Sequence, residues 1–337
     1  MTRVSAGIVR REDGRILICK RGEGRKNAHL WEFPGGKQEA GESPEKCLVR
    51  ELMEELSLPV SHVRLLCSAE AQGLTFDFLT ADTTAQPHLT EHEDFAFVTP
   101  RELKGHTFCP ADRTIAMQLA FDGVTCCLWD FDGTLADTYP MLTDVLVRLM
   151  HRHDVTVTPE SVLSLLKVSL LFACTMLSAL CGISAETLLA ECREEEGNRF
   201  LEQLAAVEGI PETLAQLTTH GFRHYVVTHR DLRCREALEK LGLLSYFSGF
   251  VTAEDGLPRK PAPDLVNCCM SRYGLQPDEC VIIGDRPLDT RAGQAAGIRT
   301  VLLDADARFT EEKSADVRIE TPLELKTLLL PDWKHES

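Results

Sequence analysis

Residues 125–138 read TCCLWDFDGTLADT, an unbroken apolar run that closes on Asp130 and Asp132. A run of that kind is the pattern of a strand buried on both faces of a parallel sheet. Acids two apart at its C-terminal end project into the crevice where open α/β sheets bind ligands. Taken alone, Asp-x-Asp-Gly also occurs in ordinary loops and calcium sites, so the rest of the chain has to decide. Further apolar strands are expected at Tyr225–Thr228, Val281–Ile283 and Thr300–Leu303, each after a helical stretch, which is the alternation of an α/β sheet. A largely helical insertion, about 138–220, separates the first of these strands from the second.

The N-terminal third has a different grammar. Strands at Val4–Arg10 and Ile16–Lys20 flank the turn Glu12-Asp13-Gly14, and a short apolar stretch Leu30–Phe33 precedes Pro34-Gly35-Gly36. Ser43-Pro44-Glu45 then supplies an N-cap, a first-turn proline and an acidic first turn, after which Cys47, Leu48, Leu52 and Leu56 recur at helical spacing. Strands at Val63–Ala69, Leu74–Leu79 and Phe95–Val98 and a helix over 110–121 complete an α+β unit. With 337 residues, the chain is long enough for two cores, and the change of pattern puts the domains at 1–122 and 123–337.

Charge and cysteine usage narrow the setting. With 36 Lys plus Arg against 52 Asp plus Glu, the net charge is −16, which argues against wrapping a nucleic-acid polymer or an anionic membrane. Thirteen cysteines form no C-x-x-C pair and their number is odd, so a reducing, cytoplasmic setting is expected. The apolar segment 162–181 is interrupted by Lys167 and several Ser and Thr, and reads as buried helices rather than a membrane span.

On the helix after Ser43, Glu51 lies three and four positions before Glu54 and Glu55, so the three carboxylates share one face. Such a face repels itself, as a solvated acidic stripe does, unless a hard divalent cation binds there and bridges to substrate phosphates. The spacing from Gly36 through Glu42 to Arg50-Glu51-Leu52-Met53-Glu54-Glu55-Leu56-Ser57-Leu58 resembles the Nudix box, with Ser57 in place of the final glycine. The resemblance implies that Glu51, Glu54, Glu55 and the Gly36 carbonyl bind metal while Arg50 holds the carboxylates. Glu54, Glu91 and Glu93 are candidates for base or further ligand, with surface charge the alternative for the last two.

The segment 30–37, LWEFPGGK, is similar to the Nudix branch that cleaves nucleoside triphosphates to monophosphate and pyrophosphate, which places Phe33 and Lys37 at the substrate. Phe108-Cys109-Pro110-Ala111-Asp112 resembles that branch's base-reading segment. An ionised Asp112 only accepts hydrogen bonds and would suit an exocyclic amine, as on cytosine; an Asp that merely caps the next helix is the other reading.

In the second domain, Asp130 to Asp137, Thr228, Lys260-Pro261-Ala262-Pro263-Asp264 and Gly284-Asp285-Arg286-Pro287-Leu288-Asp289 resemble, in order, the four motifs of the haloacid dehalogenase superfamily over 125–305. The expected architecture is an α+β Nudix fold followed by an α/β Rossmann-like haloacid dehalogenase fold with an inserted helical cap. The resemblance makes Asp130 the nucleophile and Asp132 the acid and base. Thr228, Lys260 and the Gly133 backbone would bind the phosphoryl group, and Asp130, the Asp132 carbonyl, Asp285 and Asp289 the metal. His229 either supports that site or serves only the fold.

Mg2+, or Mn2+ in its place, is implied at both sites, with nucleotides and small phosphorylated metabolites as substrates. Sequential action on a triphosphate and then its monophosphate is one expectation. Clearance of pyrophosphate, action on phosphoglycolate, or one domain acting only as a nucleotide sensor are the others.

Overall fold

The computed structural model describes residues 2–202 and 204–331, leaving aside the side chains of 198 and 199. They divide into two compact units, residues up to Asp122 together with those from Thr327, and Gly123–Lys326. The second domain therefore stops short of the expected 123–337. At 2.9 Å the Gln118 side-chain amide donates to the Thr327 carbonyl, and Leu328, Leu329 and Leu330 are buried.

In the first unit the elements are β1 (Arg3–Arg10), β2 (Ile16–Lys20), β3 (Trp31–Glu32), β4 (Gly35–Lys37), α1 (Pro44–Leu56), β5 (Ser61–Ala71), β6 (Leu74–Asp82), β7 (Asp94–Val98) and α2 (Arg113–Ala120). Its seven-stranded sheet runs β3-β2-β1-β6-β5, with β4 beside β1 and β7 beside β2. β1 pairs with β6 in parallel and the other pairs are antiparallel. The Ser43 hydroxyl accepts from the Lys46 amide at 3.3 Å to start α1. Leu48, Leu52 and Leu56 of α1 then pack against Val9, Leu17 and Leu79 of the sheet, each contributing roughly 2 kcal/mol on burial. That packing fixes which face of α1 turns outward. Ser57 ends the helix at φ 48°, the left-handed conformation a glycine would adopt at about 1 kcal/mol less cost.

The second unit begins with β8 (Cys126–Trp129), β9 (Ala136–Asp137), α3 (Tyr139–Arg152), α4 (Pro159–Leu166), α5 (Leu170–Cys181), α6 (Ala185–Arg199) and β10 (Ala205–Ala206). It continues with α7 (Ile210–Thr219), β11 (Arg223–Val227), α8 (Arg233–Lys240), β12 (Phe247–Val251), α9 (Asp264–Tyr273), β13 (Cys280–Gly284), α10 (Pro287–Ala295), β14 (Arg299–Leu303) and β15 (Val317–Ile319). The main sheet, β12-β11-β8-β13-β14-β15, is parallel throughout. Its central strands β8 and β13 are buried at every position, which explains their unbroken apolar sequence.

The cap is shorter than expected. β10 returns to pair antiparallel with β9, Ala205 opposite Asp137, so the excursion closes before α7. Ile210, Leu214 and Leu217 of α7 are buried, as a layer over a sheet requires. Segment 162–181 forms helices as expected, but they are not buried throughout. It breaks after Leu166 into α4 and α5, and α5 buries Ala173, Cys174 and Leu177 while Leu171, Phe172, Met176 and Leu180 face solvent. Among the described residues no single helix is long and apolar enough to cross a membrane.

Candidate functional site

On the outward face of α1, Arg50 organises the acids. Its guanidinium donates to both Glu42 oxygens at 3.0 and 2.9 Å, to Glu51 at 2.8 Å, to Glu54 at 3.1 Å and to the Lys37 carbonyl at 3.1 Å. The Arg50 bonds, with help from the Glu39 amide, pull the Glu42 carboxyl down to about 2. Gly36 lies against the Glu51 carboxylate so closely that a Cβ there would sit 2.2 Å from its carbon and push that carboxylate aside. The Gly36 carbonyl also accepts from the Cys47 thiol at 3.5 Å.

Glu55 is the unsettled charge of this face. Burial pushes its carboxyl up to about 7, and Glu51, Glu91 and Glu32 add repulsion that His92 only partly offsets. His92 Nδ1 is buried without a hydrogen-bond partner, 4.0 Å from Glu55, while Nε2 lies 3.2 Å from Glu32. Crowded carboxylates with an orphaned ring nitrogen beside them suit a divalent cation. Glu91 pairs with Arg25; Glu93 accepts from Lys20 at 3.1 Å and meets His29 Nδ1 at 2.7 Å. The Lys37 side chain is exposed.

Glu32, Cys109 and Asp112 bring their ligand atoms within 4.8 Å of one another. Asp112 does not cap α2 with its side chain; it accepts from the Phe33 amide at 3.2 Å, and Phe33 packs its ring on Phe108 with centroids 5.4 Å apart. Burial and then Glu32 push the Asp112 carboxyl up to about 8. It therefore carries a proton at neutral pH and both donates and accepts, as an asparagine amide does. The acceptor-only form expected of an ionised Asp112 is therefore the minor one at neutral pH. Glu32 lies inside the quoted 30–37 segment and His92 between Glu91 and Glu93, but nothing in the spacing gives either a role.

In the second unit the C-terminal ends of β8, β11 and β13 converge. Asp130, Asp285 and Asp289 are buried with their oxygens within 4.8 Å of one another. Lys260 stands among them, donating to Asp130 at 2.7 Å, to the Val227 carbonyl at 3.0 Å and to Asp289. Arg286 reaches the other Asp130 oxygen at 3.2 Å. Burial alone would raise the Asp130 pKa, but Lys260 and Arg286 override it and hold the carboxyl below its ordinary value. Asp289, buried and repelled by Asp130, is pushed up to about 6. Gly133 is required here, because a Cβ would fall 2.2 Å from the Tyr139 ring and 2.6 Å from an Asp285 oxygen. Thr228 is buried at the end of β11, its hydroxyl accepting from the Arg230 amide at 3.1 Å. His229 Nε2 accepts from the Lys260 amide at 2.8 Å; burial and the Lys260 charge lower its pKa to about 3. It is a neutral ring that holds the Lys260 backbone.

Four further residues were not singled out from sequence. Tyr139 donates to Asp285 at 2.7 Å. Lys167, at the end of α4, reaches the same oxygen at 3.0 Å across the Tyr139 ring; its one signal was a lone charge in an apolar run. Arg230 forks onto Asp132 and also pairs with Glu196 of α6. Arg286 sits inside the quoted Gly284–Asp289 stretch, yet nothing in the spacing assigned it a partner.

Residues 1–119 match the NUDIX domain family, and residues 127–303 match the haloacid dehalogenase-like hydrolase family. The chain belongs to both. The Nudix half is 34% identical over 121 residues to an 8-oxo-dGTP diphosphatase of Haemophilus influenzae, covering 34% of this chain and 89% of that protein. The haloacid dehalogenase-like half is 31% identical over 183 residues to the pyrophosphatase PpaX of Bacillus velezensis, covering 52% of this chain and 82% of that protein. The crystal structure of a predicted phosphoglycolate phosphatase from Haemophilus somnus shares the second fold, with a TM-score of 0.53 and 19% identity over 60% of this chain and 96% of that one. Both halves are hydrolase domains, of families that act on phosphoric anhydrides and on phosphomonoesters. Each of these families uses divalent metal, and the acidic clusters described above are suited to holding it.

Proposed function

We propose that the chain carries two separate hydrolytic sites, and that the second acts on a product of the first. At the Nudix site, water attacks a phosphorus of a nucleoside triphosphate and releases monophosphate and pyrophosphate. Glu51, Glu54, Glu55 and the Gly36 carbonyl would hold Mg2+ or Mn2+, with Arg50 keeping the carboxylates in place and Glu54 or Glu91 taking the proton from water. Phe33, Lys37 and Asp112 would contact the nucleotide.

At the second site, an Asp130 oxygen attacks phosphorus and Asp132 protonates the departing oxygen, leaving an aspartyl-phosphate. Water then attacks that phosphorus, its proton passes to Asp132, and phosphate leaves with Asp130 restored. Thr228, Lys260 and the Gly133 backbone would bind the phosphoryl oxygens. Asp130, the Asp132 carbonyl, Asp285 and Asp289 would hold Mg2+ or Mn2+, whose charge offsets that of the phosphoryl group.

The observation that carries this reading is the buried Lys260 between Asp130 and Asp289. An ammonium there keeps the attacking carboxylate ionised in a site almost closed to water. The names of the two relatives, a diphosphatase acting on a damaged nucleotide and a pyrophosphatase, support nucleotide chemistry in the first half and pyrophosphate beside monophosphate as candidate substrates of the second.

The test compares wild type with Asp130→Asn on ordinary and oxidised nucleoside triphosphates in magnesium. Monophosphate accumulating only in the variant identifies monophosphate as the second substrate. Pyrophosphate accumulating only in the variant identifies pyrophosphate. Equal products from both proteins overturn the coupling, and tight nucleotide binding without turnover by wild type would make the first site a sensor.

A further inference from the structure

A cleft of about 290 Å³ in the second unit is lined by five arginines and only three carboxylates, Asp132, Glu196 and Asp231. In a chain of net charge −16 this is a local reversal of sign. Three of the arginines are matched: Arg230 by Asp132 and Glu196, Arg233 by Asp231, and Arg286 by Asp130. Arg193 and Arg259 have no carboxylate partner among the described residues, although both line the cleft and both are exposed. They are close neighbours in electrostatic terms. Partial burial, then Arg193 and Arg286, lower the Arg259 pKa.

Guanidiniums gathered without an offsetting acid raise the energy of the site until an anion arrives. The planar fork of arginine matches a carboxylate or a phosphate. The cleft also has a fixed relation to the chemistry, since Arg286 lines it and lies 3.2 Å from the Asp130 carboxylate. An anion held in the cleft therefore lies beside a phosphoryl group at Asp130. Arg193 comes from α6 of the cap and Arg259 immediately precedes Lys260 of the core, so one ligand would be gripped from both sides.

We propose that Arg193 and Arg259 read a second anionic group on the substrate of the phosphatase site. The substrate class is a small phosphate compound with a further phosphate or carboxylate close to the scissile bond, such as pyrophosphate or a phosphorylated hydroxy acid. Esters of neutral alcohols leave these two arginines unanswered. The inference rests on the phosphatase reading above and names its specificity.

The test uses the full chain with Arg193→Gln, Arg259→Gln, the double variant and Arg259→Lys. The quantity is the ratio of kcat/KM for pyrophosphate, or for a phosphorylated hydroxy acid, to kcat/KM for p-nitrophenyl phosphate. The ratio is expected to fall at least tenfold in each single Gln variant and further in the double, chiefly through KM, with partial recovery in Arg259→Lys. An unchanged ratio in the double variant overturns the inference. Binding of methylenediphosphonate, measured by calorimetry with magnesium in excess, gives an answer that needs no turnover: equal binding stoichiometry and affinity in wild type and double variant also overturns it. Failure of the phosphatase reading is distinct, showing as phosphate release from p-nitrophenyl phosphate that survives Asp130→Asn.

Discussion

Arg230 grips Asp132 in a fork, with Nε 3.0 and 3.1 Å from the two carboxylate oxygens and Nη2 2.6 Å from Oδ1. The same guanidinium pairs with Glu196 on α6 and lies 4.3 Å from the Phe200 ring centroid. The residue proposed to move the proton is thereby tied to the cap, and any displacement of α6 is felt at Asp132.

Replacing Arg230 by Met should lower phosphate release from a monoester by about 10²-fold or more, the usual worth of a positioned acid and base. Arg230→Lys should recover little, because an ammonium cannot span both carboxylate oxygens. Full activity in Arg230→Met, measured as kcat on p-nitrophenyl phosphate, would show that the fork is dispensable.

Asp130→Asn should abolish phosphomonoesterase activity while triphosphate hydrolysis continues at the Nudix site. Beryllium fluoride should inhibit the same activity in wild type, since it mimics the phosphoryl group on an aspartate. Retained activity in the variant on every monoester would remove the covalent step.

Glu54→Gln and Glu55→Gln should each cut triphosphate hydrolysis by orders of magnitude, read as pyrophosphate release. For Glu55 the stability effect has a definite sign. Its folded-state pKa of about 7 lies above the ordinary 4.5, so the stability it contributes in its protonated form is lost as pH rises through 7. At pH 8 without metal, Glu55→Gln should therefore unfold no earlier than wild type in urea; earlier unfolding would contradict the burial argument.

Asp112 gives a wider window. Its pKa near 8 against an ordinary 3.8 means that the folded chain keeps a proton the unfolded chain has released. Stability present below about pH 4 is lost progressively up to about pH 8, by at most about 1.4 kcal/mol per pH unit. Asp112→Asn keeps an acceptor for the Phe33 amide and has no proton to lose. The melting temperature of the variant relative to wild type should thus rise between pH 5.5 and pH 8; parallel curves would show that Asp112 is already ionised in the fold.

The motifs were legible because metal and phosphate chemistry imposes spacing: Gly36, Arg50 and Glu51 are related through one helix, and Asp130, Asp285 and Asp289 through the ends of parallel strands. What stayed hidden depends on tertiary contact. Nothing near Lys167 in sequence indicates that it reaches Asp285, 118 residues away. The ionisation of Asp112 is hidden for a similar reason, since it is set by burial and then by Glu32, neither of which its neighbours in the chain reveal. The edge strand β12 was overlooked because Phe247–Val251 has one face only partly covered and lacks the solid apolar run of β8. The cap's end was placed too late because α7 continues the helical pattern, and only the pairing of β10 with β9 marks the return.

That pairing has an evolutionary consequence. Because Asp137 and Ala205 stand opposite each other, the whole excursion leaves and re-enters the core through a single doorway, and its ends stay together whatever lies between them. Insertions are tolerated best where their two ends are adjacent. The cap is in that sense a cassette: helices bearing different reading residues could be exchanged there without disturbing the order of the parallel strands, leaving the catalytic carboxylates where the sheet puts them.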